Sequence, residues 1–393
     1  MIAFDDAQAL LARVVSPLGI ERIALEEAEG RFLAEPLHAA FDSPRAPVSA
    51  MDGYAVCDAA TVPGLPLDVV GAAFPGKCFP APIAAGQAVR IYTGAPLPAG
   101  ADRVIAQEHA TRSAGQVTFD ADYGPGWHVR TPGSDFTGGA CLLEKGLRLT
   151  PGALVTAASA DVSHVDVHHR PVVAMIATGD ELVSPGTAAA LPCAIPDSLS
   201  YGVRALARRN GALVKFFRRL GDDVVALAAA AGEALEHADV VVISGGASVG
   251  DRDFAKPMFT PHGLELVFDK VAMQPGKPVW FGRARDRWVL GLPGNPTAAM
   301  VTARLFLIPL LHKLQGRTVP ATEWRRLPLA ASLPAVGTRE LFVRAQWRPE
   351  GLLPATSQDS GAQSVLAQVD WLIRRPPRSG SLAKGALVEA TPI

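Results

Sequence analysis

Four carboxylates occupy loops that also carry glycines: Asp180 and Glu181 in "MIATGDELVSPG", and Asp251 and Asp253 in "VVISGGASVGDRDF". Gly245, Gly246 and Gly250 let a backbone turn its amides inward as a nest for an anion. "GLPGNP" places Gly291 and Gly294 just before a helix start at Pro296, a second geometry that suits an anion. Bare carboxylates repel an anion, and a hard divalent cation such as Mg²⁺ removes the conflict by bridging them to phosphate oxygens. Lys270 and Lys277, in "DKVAMQPGKPVW", add point charges nearby. The pattern is neither a Walker loop nor GxGxxG. It points to a phosphorylated ligand handled with Mg²⁺, while tight turns with a solvated acidic rim remain the alternative on these residues alone.

A fifth acid stands apart. Asp52 in "SAMDGYAV" precedes a glycine, so it is either a charged turn-former or a carboxylate placed for chemistry, and nothing local decides. The histidines of "HVDVHH" (His164, His168, His169) alternate as on an exposed edge strand and match no zinc spacing. No Ser-His-Asp arrangement is present. The four cysteines are scattered without a CxxC pair, which fits a reduced, cytoplasmic protein, and Cys57 reads as a small packed residue.

The elements that must position these loops show two textures. From Pro171 onward, strands ("PVVAMIAT", "ALVKFFRRL", "DVVVIS", "WVLGLP") alternate with helices ("LSYGVRALARR", "DDVVALAAAAGEALEHA", and one from about Pro296). This predicts an α/β domain with a mainly parallel sheet, over 171–318. In such sheets ligands bind beyond the carboxyl ends of the strands, where the acidic and glycine-rich loops fall. Residues 41–140 hold short β-branched runs between Gly/Pro turns, predicting an inserted β-rich domain. Its flanks, 1–40 and 141–170, read as a helical lobe with helices near 4–15, across "LEEAEGRFLAE" and over 150–160. Residues 319–393 return to short strands, a C-terminal β domain.

The chain of 393 residues is 49% hydrophobic and 19% charged, with a net charge of −1. No global field attracts nucleic acid or anionic lipid. The N-terminus lacks the basic-then-apolar pattern of a signal peptide. The most apolar helix candidate, around 296–311, is interrupted by Arg304 and is short for a bilayer span. Neither nucleic acid nor membrane is an expected partner.

Six stretches together resemble one family. "SAMDGYAV", "TGAPLPAGADRVIAQE", "IATGDELVSPG", "ISGGASVGDRDF", "QPGKP" and "GLPGNP" follow the order and approximate spacing of MoeA-type molybdopterin molybdenumtransferases, to which the E domain of gephyrin is similar. The resemblance implies a four-domain enzyme that inserts molybdate into adenylylated molybdopterin with Mg²⁺-dependent release of AMP. It implies a homodimer with the active site between subunits, and contact with a molybdopterin adenylyltransferase. By motif position, Asp52, Thr93 and Glu181 match catalytic positions, and Glu181, Asp251 and Asp253 the metal site. Substrate-binding positions match at Asp135, Asp222, Gly245, Gly246, Ser248, Gly250, Lys270, Lys277, Pro278, Pro293, Gly294, Asn295, Pro296, Arg344 and Ser364. Asp52 would orient water or deprotonate a dithiolene thiol. The chain departs from the family's usual residues at Ser134, Leu199, Gln274 and Ala298. The competing readings are a molybdopterin adenylyltransferase and a non-catalytic scaffold.

Overall fold

The run beginning at Pro171 forms β1 (Val172–Thr178), with Val173 and Met175 in the core on one side and Ala174 and Ile176 in the core on the other. Burial on both faces is what an apolar run without polar alternation calls for. In this computed structural model, which describes residues 1–245, 254–318 and 322–393, β1 lies inside a six-stranded sheet. The other strands are β2 (Leu213–Leu220), β3 (Val240–Ser244), β4 (Glu265–Asp269), β5 (Trp280–Ala284) and β6 (Arg287–Leu292), in the order β2-β1-β3-β6-β5-β4. The first four in that order run parallel, and β5 and β4 continue antiparallel. The antiparallel edge is a finding beyond the sequence reading. Its hairpin turns on Arg285 and Asp286, at φ of 44° and 62°, without the Asn-Gly or Gly-Gly pair that usually announces such a turn.

Two helical layers cover the sheet. On one face, α1 (Phe4–Val14) buries Phe4, Ala7 and Leu11 in the same core as Val173, Met175 and Leu290. Two further helices, α2 (Leu199–Arg209) and the helix Pro296–Leu314, complete that layer. On the other face, α3 (Val224–His237) packs on Ala174, Ile176, Val241 and Ile243. Asp223 caps α3, its Oδ1 accepting the N–H groups of Val225 and Ala226 at 2.9 and 3.3 Å; such a cap contributes ~1 kcal/mol. The helix from Pro296, called α4 here, runs 19 residues through one π-helical stretch at Ala303–Leu307. It is therefore longer than its sequence suggested and passes the length and composition test for a membrane span, but 89% of its apolar window is buried inside the protein.

These elements belong to the larger of two compact units, Met1–Glu35, Lys145–Leu154 and His164–Ile393. The same unit holds an antiparallel C-terminal sheet around β7 (Glu340–Arg348), β8 (Trp371–Arg375) and β9 (Leu387–Pro392), with a core of Leu329, Val343, Leu352, Ile373 and Val388. Met273–Gln274 joins β7 in parallel, and the Gln274 side chain accepts a hydrogen bond from Arg339 Nη2 at 3.2 Å. The smaller unit, Pro36–Glu144 with Val155–Ser163, is built on a six-stranded sheet of its own containing Gly53–Val56, Leu67–Ala73, Gln87–Ile91 and Arg103–Ala106.

Two expectations are corrected. "LEEAEGRFLAE" forms only a 3₁₀ turn at Leu25–Glu27. Beyond it, the N–H groups of Gly30 and Leu33 bond the carbonyls of Leu149 and Leu147, a ladder that replaces the helix. The strand His164–His168 pairs with Ile20–Ala24, but His168 is buried rather than exposed, its Nδ1 2.7 Å from Leu18 O.

Candidate functional site

The carboxyl ends of β1, β3 and β6 open on one cleft of about 640 Å³. Thr178, Gly179 and Glu181 follow β1; Ser244 and Gly245 follow β3; Pro293, Gly294 and Asn295 follow β6 and lead into α4 at Pro296. Lys270, Lys277 and Pro278 enter from the segment between β4 and β5, and Asp222 from the turn before α3. The chain leaves β1 toward β2 on one side and returns to β3 on the other. This is the switch point at which open α/β sheets bind ligands. Of the residues selected by sequence, Glu181, Asp222, Gly245, Lys270, Lys277, Pro278, Pro293, Gly294, Asn295 and Pro296 therefore share one site. Gly246, Ser248, Gly250, Asp251 and Asp253 lie outside the described residues.

Backbone geometry shapes the cleft. Gly245 has φ of +92°, and a Cβ there would stand 2.3 Å from Thr178 O. Only glycine lets the β3 loop come this close to the end of β1. Lys270 holds a left-handed φ of 63°, which costs roughly 1–2 kcal/mol in a residue with a Cβ. Backbone bonds from Lys270 N to Val279 O (3.1 Å) and from Val271 N to Lys277 O (3.0 Å) fix the segment and bring both lysines to the cleft. Lys256 is paired with Asp269 at 2.7 Å, whereas no described carboxylate pairs with Lys270 or Lys277. Unpaired among the described residues, the two ammonium groups offer the cationic contacts that an oxyanion requires. Glu181 and Asp222 add oxygen donors of the class Mg²⁺ takes, which are one or two carboxylates completed by phosphate oxygens and water. Among the described residues no group of three or more His, Cys, Asp or Glu forms a metal cage.

One rim of the cleft comes from the 355–363 loop that follows the strand Gly351–Pro354 of the C-terminal sheet. Gly361 and Gln363 line it. Asn295 Nδ2 donates to Ser360 Oγ at 3.0 Å, Thr297 Oγ1 donates to Ser360 O, and Ser198 Oγ donates to Gln363 Oε1 at 2.6 Å. Arg344 is fully buried beneath this 355–363 segment and donates through Nη2 to the carbonyls of Ser357 (3.3 Å) and Asp359 (3.1 Å). Its guanidinium is therefore outside the cleft lining and supports the rim. Ser364 opens the 3₁₀ turn Ser364–Ala367 next to Gln363 and is also outside the lining. Sequence reading missed Asp197, Ser198, Gly361 and Gln363 as lining residues. For the first two a signal existed, since Asp-Ser before an amphipathic helix marks an N-terminus.

Asp52 and Thr93 meet in the smaller unit. The backbone N–H and the hydroxyl of Thr93 both donate to Asp52 Oδ1 at 2.7 Å. These two bonds, the backbone one foremost, and the Arg90 charge hold the carboxyl below the ordinary aspartate range. Oδ2 makes no hydrogen bond among the described residues. Gly53 is explained by close packing and not by a turn, since a Cβ there would lie 2.0 Å from Ile105 O in the neighbouring strand. Asp135 sits elsewhere in this unit, in a cavity of about 500 Å³ with Ser43, Pro44, Val48, Arg130 and Ser134.

Sheet, switch point and lining define an α/β domain built to hold a phosphorylated ligand or oxyanion. The profile of the MoeA N-terminal region (domain I and II) matches residues 2–160, and that of a probable molybdopterin binding domain matches 174–313. The chain is 34% identical over 350 residues to the molybdopterin molybdenumtransferase of Haemophilus influenzae, covering 88% of this chain and 85% of the relative. It is 34% identical over 397 residues to that of Synechococcus elongatus, covering 97% of each. The crystal structure of the molybdopterin biosynthesis MoeA protein from Pyrococcus horikoshii matches with a TM-score of 0.79 at 30% identity, over 100% of this chain and 99% of that one. The chain belongs to the MoeA family of molybdopterin molybdenumtransferases and is an enzyme of molybdenum cofactor biosynthesis.

Proposed function

We propose that the enzyme inserts molybdate into adenylylated molybdopterin, with Mg²⁺-dependent release of AMP. The observation that carries this reading is the joint presence, in one switch-point cleft, of two lysines without a carboxylate partner among the described residues and two oxygen-donor acids. Lys270 and Lys277 bind the oxyanion and screen phosphate charge, and the Gly245 and Gly294 backbones let the pyrophosphate approach. Glu181 and Asp222 would hold Mg²⁺, joined by motif position by Asp251 and Asp253, and the bound ion would offset charge on the pyrophosphate. Asp52, kept ionised by Thr93, is a weak base because a useful base titrates near the working pH. That supports an orienting role, in which Oδ2 accepts a hydrogen bond from water or from a dithiolene thiol.

Three further expectations belong to this reading: a homodimer in which Asp52 and Thr93 serve the partner's cleft, docking of a molybdopterin adenylyltransferase, and a cytoplasmic location. The division at 40/41, 140/141, 170/171 and 318/319 is proposed with them. The test is incubation of the purified protein with adenylylated molybdopterin, Mg²⁺ and molybdate or tungstate. AMP release that needs both Mg²⁺ and an oxyanion supports the reading, and no AMP with either oxyanion rejects it. Mixing Asp52→Asn and Glu181→Gln protomers tests the shared site, which requires activity to reappear in the mixture.

A further inference from the structure

A set of polar contacts runs along one wall of the cleft without using the groups assigned to chemistry. Asp197 is 2% exposed. Its Oδ2 accepts Arg219 Nε and Nη2 at 3.1 and 3.0 Å, and its Oδ1 accepts the Ser200 N–H at 3.2 Å in the first turn of α2. Arg219 projects from β2, and its remaining Nη1 donates to Ser184 Oγ at 2.8 Å. One guanidinium thus ties both legs of the excursion 179–198, the outgoing leg from β1 and the leg returning to α2. Between the legs there is little else. Leu182–Val183 pairs in parallel with Ile195–Pro196, and Ile195 N and Asp197 N bond Glu181 O (2.7 Å) and Val183 O (2.9 Å). The outer part is exposed, with Leu191 and Ile195 both at 49%. Glu181 stands at the root of the outgoing leg and Ser198 at the root of the return, and both line the cleft.

We infer that Arg219 and Asp197 are positioning residues for this reaction, the pair that sets where Glu181 and the first turn of α2 stand. The inference rests on the reading of the cleft given above. Both Asp197 oxygens are already engaged by Arg219 and Ser200, so this carboxylate serves as an anchor and not as a ligand. A buried carboxylate stripped of its partner is strongly unfavourable. Removing the guanidinium therefore obliges the excursion to move until Asp197 reaches water, and Glu181 moves with it. A misplacement of about 1 Å in a positioning element lowers rate on the order of 10²-fold.

The experiment follows amide exchange and AMP release in the intact protein and in Arg219→Met, Arg219→Lys and Ser184→Ala. In Arg219→Met, exchange across 181–198 rises by at least about tenfold while α3 is unchanged, since local opening is selective, and kcat falls more than KM rises. Arg219→Lys recovers part of kcat through its bond to Asp197. Ser184→Ala frees only the outgoing leg, with a smaller loss, and carries the test if Arg219→Met does not fold. Unchanged exchange and kcat overturn the inference. So does faster exchange with unchanged kcat, which would make the pair merely structural. If the wild type releases no AMP, the functional reading fails by itself; calorimetric titration with AMP and Mg²⁺ then replaces turnover, and equal affinity in wild type and Arg219→Met rejects the positioning role.

Discussion

In the switch-point cleft, charged groups ride on loops hinged by glycine and fastened from several directions: Asn295 and Thr297 to Ser360, Ser198 to Gln363, and Arg219 to both Asp197 and Ser184. At Asp52, a single residue, Thr93, makes both hydrogen bonds to one carboxylate oxygen and leaves the other oxygen open. The first arrangement fixes many groups moderately and suits binding of an extended, multiply charged ligand. The second fixes one atom tightly and suits a single contact made in the transition state. On the proposed function, the chemistry divides into a redundant binding site and a carboxylate with one support.

Perturbing each side tests that division. The largest effect is expected from Asp52→Asn, which lowers molybdate-dependent AMP release on the order of 10²- to 10⁴-fold while AMP binding and thermal unfolding stay near wild type. Weakened AMP binding in that variant would merge the two sites into one. Lys277→Met removes a charge-assisted contact of about 1.5–3 kcal/mol, and the apparent KM for molybdate should rise accordingly with kcat less affected. Gly245→Ala places a Cβ 2.3 Å from Thr178 O at a φ of +92°. It should cost roughly 1–2 kcal/mol of stability, seen as a lower melting temperature, and weaken AMP binding in calorimetry.

The smallest effect is on pH dependence. Asp52 is held below its ordinary range by Thr93 and Arg90, so it stays ionised, and the rate is maintained, to lower pH than a solvent aspartate would allow. Thr93→Val removes the hydroxyl bond and keeps the backbone one, so the acid limb of the rate profile moves to higher pH. A limb that does not move would show that Asp52 ionisation does not govern the rate. The same depression contributes stability above the unfolded-state value, and that contribution is lost as pH falls through the folded one.

Much of the α/β framework was legible because β1 and β3 are apolar on both faces and α2 and α3 carry helical periodicity. The antiparallel edge was not, because Arg285 and Asp286 adopt positive φ without glycine or asparagine. The cleft acids, lysines and glycines were legible as residue types in loops. Their gathering at the strand ends was legible too, but the strand order that sets β1 between β2 and β3 was not, since no local window records a crossover. Asp52 was ambiguous by itself because Asp-Gly is a turn signal, and its partner Thr93 lies 41 residues away. Arg344 shows the limit of motif matching: it was selected by resemblance alone, and its buried guanidinium holds carbonyls of the rim and is not among the cleft lining.

The rim segment 355–363 has a consequence for how this chain can be divided. Asn295 and Thr297, at the mouth of the α/β domain, spend their side-chain donors on Ser360, in the 355–363 loop that follows a strand of the C-terminal sheet. A fragment cut after α4 would lose one side of its own binding pocket, turn these two donors to solvent, and strip Phe342 and Leu372 from the core that holds α1 on the sheet. Pocket and core therefore both reach across the 318/319 division. In exchanging parts between relatives, the last 70-odd residues are best moved together with the α/β domain they complete.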